Sequence, residues 1–545
     1  MHETTTPNRR PDAIRDGLGA AFALLALLLP WNVRFGLTIE GSAHWMFALL
    51  IIATLGVWAS ALITHRRLGE DAQPESLSRL RLLLSTPYLL LATAAVLFSL
   101  IGSIALGGSG VVAPGVGPGV WFGVAGALLC AQPVFGGGTT SGRWSRSARM
   151  ITDVSVGLAV LAVLFTLYWR LRRVVPDIVA GEAVGQNLAV TVAFLLYSAV
   201  ALAPILVAAR WMRSGEESDR LVVTLLGAST LVAGALVWWL PTGREIDGFH
   251  GIAQNTGVAT VGFQGYLAWV AVAAIVGPLA LLRAVGRSAS GNLAWQNATR
   301  KALLLIAVWS AGSAILRITD LVTAGTLGLP VMPFDQTAML AFDALTALLA
   351  GWVARNGYDS LPKLGMRAVL VGLVTLTVCR VVLGIVLVPR VESFAPTEYD
   401  DIFGNDLYQQ ITSTFDVVLC VLAAAVLGLA LTVLGRSPRK RVTAGAGARR
   451  TAPAGAPGSS AASPAPAASA AAASAPAAPA PAASAAPPVS RTAEQPRIAG
   501  PAIARPAVSS QSEPSAPQAD SPASLPEDDA PRIAGPKIAR PTETE

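Results

Sequence analysis

The chain has 545 residues, 53% of them hydrophobic and only 13% charged, with a net charge of +7. Its mean hydropathy is +0.55. Soluble globular domains carry about a quarter of their residues as charges, so this composition excludes an ordinary soluble fold and points to a membrane protein. Thirty-six of the forty basic residues are Arg, a skew that suggests a GC-rich bacterial coding sequence. The three cysteines, Cys130, Cys379 and Cys420, sit in apolar stretches, so no disulfide framework is expected.

Residues 1–15 hold Arg9, Arg10 and Arg15 ahead of the first apolar run and read as a cytoplasmic N-terminus. The run ends at Pro30, Trp31 and Arg34 without a small-residue cleavage site, which marks a first membrane span rather than a removable signal. Crossing ~30 Å of hydrocarbon takes about 20 helical residues. On that measure spans are expected at 16–32, 43–64, 82–106, 118–136, 151–171, 187–209, 221–241, 264–283, 300–321, 336–354, 366–388 and 412–435, twelve in all. Each must be helical, because unpaired backbone amides in lipid cost several kcal/mol apiece. The expected fold class is therefore all-α: a polytopic helical membrane domain over 16–441.

The fourth run, GVWFGVAGALLCAQPVF, is rich in glycine and follows GGSGVVAPGVGPG. Charge sidedness tests it. With twelve crossings and an inside N-terminus, cytoplasmic loops and helix ends hold 24 Lys or Arg and outer ones seven. If the fourth run failed to cross, those numbers would become 13 and 18, against the positive-inside rule. Both termini are accordingly expected in the cytoplasm, with the protein multi-pass in the inner (plasma) membrane. Arg170, Arg172 and Arg173 form the one basic outer loop, where snorkelling or pairing with Asp177 and Glu182 is expected. Trp31, Trp121, Trp169, Trp211, Trp238, Trp239 and Trp352 fall near span ends, the usual place for interfacial anchors.

Residues 442–545 change character abruptly. They contain 19 of the 37 prolines, no aromatic residue, and eight acidic against eight basic side chains. Such a segment lacks the apolar groups to offset chain ordering, so a disordered cytoplasmic tail is expected. Within it PRIAGPAIARP at 496–506 and PRIAGPKIARP at 531–541 agree at ten of eleven positions. A repeated, Pro-framed segment with two Ile anchors suits docking to a cytoplasmic protein, in tandem and with avidity.

Catalytic signatures are missing. There is no phosphate-binding Gly-x-x-x-x-Gly-Lys-Ser/Thr loop, no Gly-x-Ser-x-Gly elbow, and no His or Cys pair at metal-ligand spacing among His2, His44, His65, His250 and the three cysteines. The basic excess is spread over cytoplasmic loops, so nucleic-acid binding is not expected. No cofactor or metal is expected, and an enzymatic activity is the less expected case. Two outer loops hold polar residues: one carries Arg244, Glu245, Asp247 and His250, the other Glu392, Glu398, Asp400, Asp401 and Asp406.

The sharper signal lies inside the spans. Asp343 falls in the tenth, Arg380 in the eleventh, Asp416 in the twelfth, and Arg317 and Asp320 near the outer end of the ninth. At 1.5 Å per residue from the expected outer ends, Asp343 is about 10 Å deep, Arg380 about 12 Å, and Asp416 and Arg317 about 6 Å. A charge near the bilayer centre costs at least ~2.5 kcal/mol, so these groups should face the bundle interior at one level, with Arg380 touching Asp343, Asp416 or both. Interhelical locking would account for them, and so would a substrate-binding pocket at Arg380, Asp343, Asp416, Arg317 and Asp320. The leading functional expectation is a transporter-like protein or flippase for an anionic substrate, a cell-envelope lipid included. The alternatives are a scaffold for envelope assembly acting through the tail, and a transferase acting at the outer face through Asp247 and His250.

Overall fold

The computed structural model describes residues 10–32, 34–37, 39–66, 74–105, 115–134, 141–239, 263–286, 290–328, 333–360, 362–387 and 414–432. These form twelve α-helices: α1 (Arg10–Leu28), α2 (His44–Arg66), α3 (Pro74–Ala105), α4 (Pro118–Ala131), α5 (Ser141–Ala180), α6 (Val184–Arg213), α7 (Glu217–Trp239), α8 (Ala268–Gly286), α9 (Ser290–Leu327), α10 (Pro333–Ser360), α11 (Lys363–Leu387) and α12 (Thr414–Thr432). A π-helical turn, Phe263–Leu267, leads into α8. No strand occurs among the described residues, only a bridge between Asn32 and Phe35. Ten of the helices are long and apolar enough to cross a membrane.

The two others explain why ten is the smaller figure. Helix α1 opens with Arg10, Asp12, Arg15 and Asp16 in its first two turns, so its apolar part begins late. Helix α4 has only 14 residues, and all of them are buried. It is an internal helix, enclosed by α1, α3, α7 and α8. Both of its ends are fastened to α1 and that helix's exit. The backbone N–H of Gly117 donates to the Trp31 carbonyl at 2.7 Å and that of Gly119 to Pro30 at 2.8 Å, satisfying donors that a helix start leaves open. At the far end the Cys130 Sγ lies 3.7 Å from the Asp16 carbonyl. Helices α1 and α4 are therefore antiparallel, and α4 reaches from the level of Asp16 to that of Trp31.

Small residues make this close approach possible. A Cβ on Gly126 would lie 2.6 Å from the Gly19 carbonyl oxygen, and one on Gly19 would lie 2.6 Å from Cys130 Sγ. The buried residues of α1 recur at 12, 15, 16, 19, 23 and 26, a single helical stripe turned to α4. Without a hydrophobic force between helices in lipid, such backbone proximity supplies the dispersion contacts that hold them.

Aromatic rings link α4 to the last helices. Trp121 packs on Tyr266 at 5.0 Å between centroids, Tyr266 on Trp269 at 5.7 Å, Trp269 on Phe415 at 5.4 Å, and Phe415 edge-on to Trp309 at 4.9 Å. These offset and edge arrangements are the favoured ones. Trp31, Trp121 and Trp211 are buried in the bundle, which overturns their expected role as interfacial anchors. Trp239 and Trp352 are exposed, as an anchor must be.

Helix α5 also departs from expectation. It runs unbroken through Pro176 to Ala180, 40 residues or about 60 Å, where an end near 171 was expected. Chain reversal is confined to Gly181 and Ala183, both at positive φ, before α6 begins. Arg172 lies over the Trp169 ring at 5.2 Å, a cation–π contact. The tail and its repeats, and the loops with Asp247, His250 and the Glu392 to Asp406 acidic group, lie outside the described residues.

Candidate functional site

The charges expected to share one level do meet. Arg317 and Asp320 lie toward the C-terminal end of α9 and Arg380 toward that of α11; Asp343 and Asp416 lie toward the N-terminal ends of α10 and α12. Helix α10 packs on α9 and α11, and α12 packs on α11 and α9, so four helix ends converge. All five side chains are buried, Asp343 completely.

Asp343 is the hub. Its Oδ2 accepts a hydrogen bond from Arg317 Nε at 2.7 Å. Its Oδ1 accepts from Arg380 Nε. The same Arg380 guanidinium contacts Asp416 Oδ1 through Nη1 and donates from Nη2 to Ser313 Oγ at 3.2 Å. Asp416 also accepts from the indole Nε1 of Trp309 at 2.6 Å, which ties the aromatic string to the ions. Burial is tolerable here because each guanidinium is matched to carboxylate oxygens, the condition for keeping ions out of water.

Asp320 stands apart. One helical turn beyond Arg317 on α9, it accepts a hydrogen bond from the hydroxyl of Tyr197 on α6. Tyr197 was not expected at the site, since a lone Tyr in an apolar run reads as packing. Beneath the ions, one turn further into each helix, lie Ser313 on α9, Thr346 on α10 and Thr377 on α11, all buried. The Thr346 hydroxyl has no hydrogen-bond partner among the described residues.

A second buried ion group, absent from the sequence expectations, sits where α1 begins. Arg81 grips Asp16 with Nη1 at 2.9 Å and Nη2 at 2.6 Å. Neither side chain is exposed at all. Arg15 joins Asp16 at 3.0 Å and Asp12 at 3.1 Å. This group clamps the C-terminal end of α4: Arg81 Nε donates to the Cys130 carbonyl at 2.8 Å, Ser60 Oγ to the same oxygen at 2.9 Å, and Arg15 Nη1 to the Pro133 carbonyl at 2.8 Å. Cations at a helix C-terminus complement its dipole and satisfy its orphan carbonyls. Among the described residues two carboxylates, Asp12 and Asp16, face two guanidiniums, Arg15 and Arg81, and the group ties α1, α3 and α4 together.

Other charged contacts are peripheral. Asp153 pairs with Arg213 at 2.7 Å in the open, with side chains 61% and 48% exposed. Lys301 on α9 bonds to Asp219 and to Ser218 at 3.0 Å, joining the starts of α7 and α9. No three His, Cys, Asp or Glu side chains converge as a metal ion requires among the described residues.

A family model described as a domain of unknown function (DUF7937) matches residues 12–436. That match takes in the ion clusters and helices α1 to α12, apart from the first two residues of α1. No curated protein and no solved structure matches the chain.

Proposed function

The chain belongs to the DUF7937 family, whose model spans residues 12–436, and we propose that it is a carrier-type transporter of the bacterial plasma membrane for a substrate with an anionic group. One observation carries the reading: Arg380, buried between Asp343 and Asp416, with Arg317 on the far oxygen of Asp343. Ionisable groups deep in apolar helices are expensive, and substrate or ion pathways are where they are kept. In an empty carrier the guanidinium needs an internal counterion, because an unpaired buried charge would unfold the site. Asp343 and Asp416 fill that role. An arriving phosphate or carboxylate competes with them for Arg380, whose planar fork suits bidentate anion binding. Exchange of partners is what an alternating site needs, since the same charges close the empty form and hold the loaded one.

The topology that goes with this reading has twelve crossings, α1 and α4 included, with both termini in the cytoplasm and the ion cluster in the outer half of the bilayer. Its supports are the positive-inside count and the end-to-end fastening of α4 along α1. A second reading rests on the repeated segment of the tail: a scaffold that recruits cytoplasmic proteins through the two PRIAGP copies.

The test is thermal unfolding of the full-length protein in dodecyl maltoside with added phosphatidylglycerol or phosphatidylcholine. A ligand at 100 times its Kd stabilises by about 2.7 kcal/mol. The anionic lipid should raise the Tm beyond the zwitterionic one in wild type, and Arg380→Gln should remove the difference. An equal response to both lipids, or a difference that survives Arg380→Gln, refutes an anion site there.

A further inference from the structure

The two buried ion groups differ in their arithmetic. At the start of α1, Asp12 and Asp16 face Arg15 and Arg81. At the second group, three carboxylates, Asp320, Asp343 and Asp416, face two guanidiniums, Arg317 and Arg380, among the described residues. Among the described side chains the carboxylates of this group outnumber its guanidiniums by one. Asp343 and Asp416 each touch a guanidinium directly, whereas Asp320 takes its hydrogen bond from the neutral hydroxyl of Tyr197 and feels Arg317 only through space. The surplus therefore sits at Asp320, which is only 8% exposed.

Among the described residues the cation that acts on it is Arg317 of the same cluster. Helix α6 brings Tyr197, α10 brings Asp343 and α12 brings Asp416. On α9 itself Arg317 lies one turn away with its Nε given to Asp343. Helices α7 and α8 also pack on α9. Their ionisable residues, Glu217, Asp219 and Arg220 at the start of α7 and Arg283 at the end of α8, lie remote from Asp320 along those helices. A buried carboxylate without a counterion binds a proton or a metal ion. A metal ion needs several oxygen ligands, and Asp320 has one hydroxyl beside it. The unpartnered, fully buried hydroxyl of Thr346, one turn below Asp343 on α10, marks further polar capacity at the same place.

We propose that Asp320 is a proton-binding site, held by Tyr197, whose ionisation competes with Asp343 for Arg317 and so sets which ion pairs close around Arg380. Protonation adds one proton from water to a carboxylate oxygen of Asp320 and brings the cluster to three acids, two ionised, against two guanidiniums. Loss of that proton leaves a carboxylate one turn from Arg317, near enough on the same helical face to draw the guanidinium away from Asp343. Asp343 is then left with Arg380 alone. Only this coupling step rests on the carrier reading; the proton site itself does not.

The experiment is pH-difference infrared spectroscopy of the full-length protein in dodecyl maltoside, a detergent with no carbonyl of its own. Wild type should show a protonated-carboxyl band that persists above about pH 5.5, where exposed Asp and Glu are ionised, vanishes in alkali and shifts in deuterium oxide. Asp320→Asn should lose that band, whereas Asp343→Asn, which frees Arg317 to pair with Asp320, should move its titration to lower pH. Asp320→Glu and Tyr197→Phe should each retain the band at a changed frequency, and these two variants decide the matter if the Asn variant aggregates. No titrating band in wild type, persistence of the band in Asp320→Asn, or an unmoved band in both Asp320→Glu and Tyr197→Phe overturns the proposal. The band requires no substrate, and the lipid test of Arg380 requires no proton, so each reading fails separately. A band at Asp320 without Arg380-dependent lipid stabilisation retains the proton site and removes the carrier; the reverse result removes the proton site alone.

Discussion

Arg317 donates from Nε to Oδ2 of Asp343 at 2.7 Å, across the α9–α10 interface, and the other oxygen of that carboxylate belongs to Arg380. With three carboxylates and two guanidiniums in the group, the consequences of removing an acid and removing a base are unequal. Arg317→Gln or Arg380→Gln leaves two ionised carboxylates against one guanidinium even with Asp320 protonated, and should cost about 3–5 kcal/mol as a broken buried pair does. Asp343→Asn or Asp416→Asn can be balanced by release of the Asp320 proton and should cost clearly less. Thermal unfolding of the four variants in one detergent gives the order. Equal losses, or a larger loss for the Asn variants, would show that the charge count is not what governs the site.

The clamp at the start of α1 should behave as structure alone. Arg81 meets Asp16 through two nitrogens and the Cys130 carbonyl through a third. Lysine, with one compact ammonium, cannot make that fork. Arg81→Lys should therefore fail to rescue: both Arg81→Lys and Asp16→Asn should lower stability by several kcal/mol, on the scale of other broken buried pairs. Measured at a temperature where they remain folded, both variants should keep the Arg380-dependent response to phosphatidylglycerol. A folded Asp16→Asn variant without that response would assign this end of the bundle a part in the site.

How much of this was legible beforehand follows from where each charge falls. Asp343, Arg380 and Asp416 interrupt long apolar runs, so hydropathy exposes them and helical rise places them at one level. Asp16 and Arg81 lie at the margins of their runs, where a charge is ordinary, and only the tertiary fold shows that neither is exposed. Tyr197 carries no signal at all until α6 is laid against α9. Helix α4 reads as a span from its apolar content and the charge sidedness around it, but its enclosure depends also on Gly19 meeting Gly126 across the α1 interface, a pairing between distant residues that periodicity within one segment does not encode. Tryptophan misled for the same reason: Trp121 near a helix end reads as an anchor, yet α7 and the π-helical turn cover it.

The glycine contacts make a sharp comparison. Alanine at Gly126 would place its methyl 2.6 Å from the Gly19 carbonyl oxygen and 2.8 Å from the Ala23 nitrogen, both backbone atoms that cannot swing aside. Overpacking of this kind costs typically about 1–3 kcal/mol. Gly157, within α5, has nothing within 4 Å of the same position. There Gly→Ala should be neutral or stabilising by up to about 1 kcal/mol through helix propensity. Unfolding of the two variants side by side should separate them in sign. A tolerated Gly126→Ala would mean that α1 and α4 do not approach as closely as their backbones indicate.

Removing residues 442–545 separates the carrier from the scaffold. The described helices end at Thr432, and the family match ends at residue 436, so a chain stopped after Arg441 retains the ion cluster and both of its reporters. If the anionic site does the work, the shortened protein should unfold at the wild-type temperature and respond to phosphatidylglycerol as the full chain does, and Arg380→Gln should abolish that response in either background. In cells the two changes should then have opposite weight, with Arg380→Gln reproducing the null phenotype and the truncation leaving growth nearly unaffected. Were the truncation to reproduce the null phenotype while Arg380→Gln grew normally, the function would belong to the repeated tail segments. The buried ions would then do no more than hold four helices together.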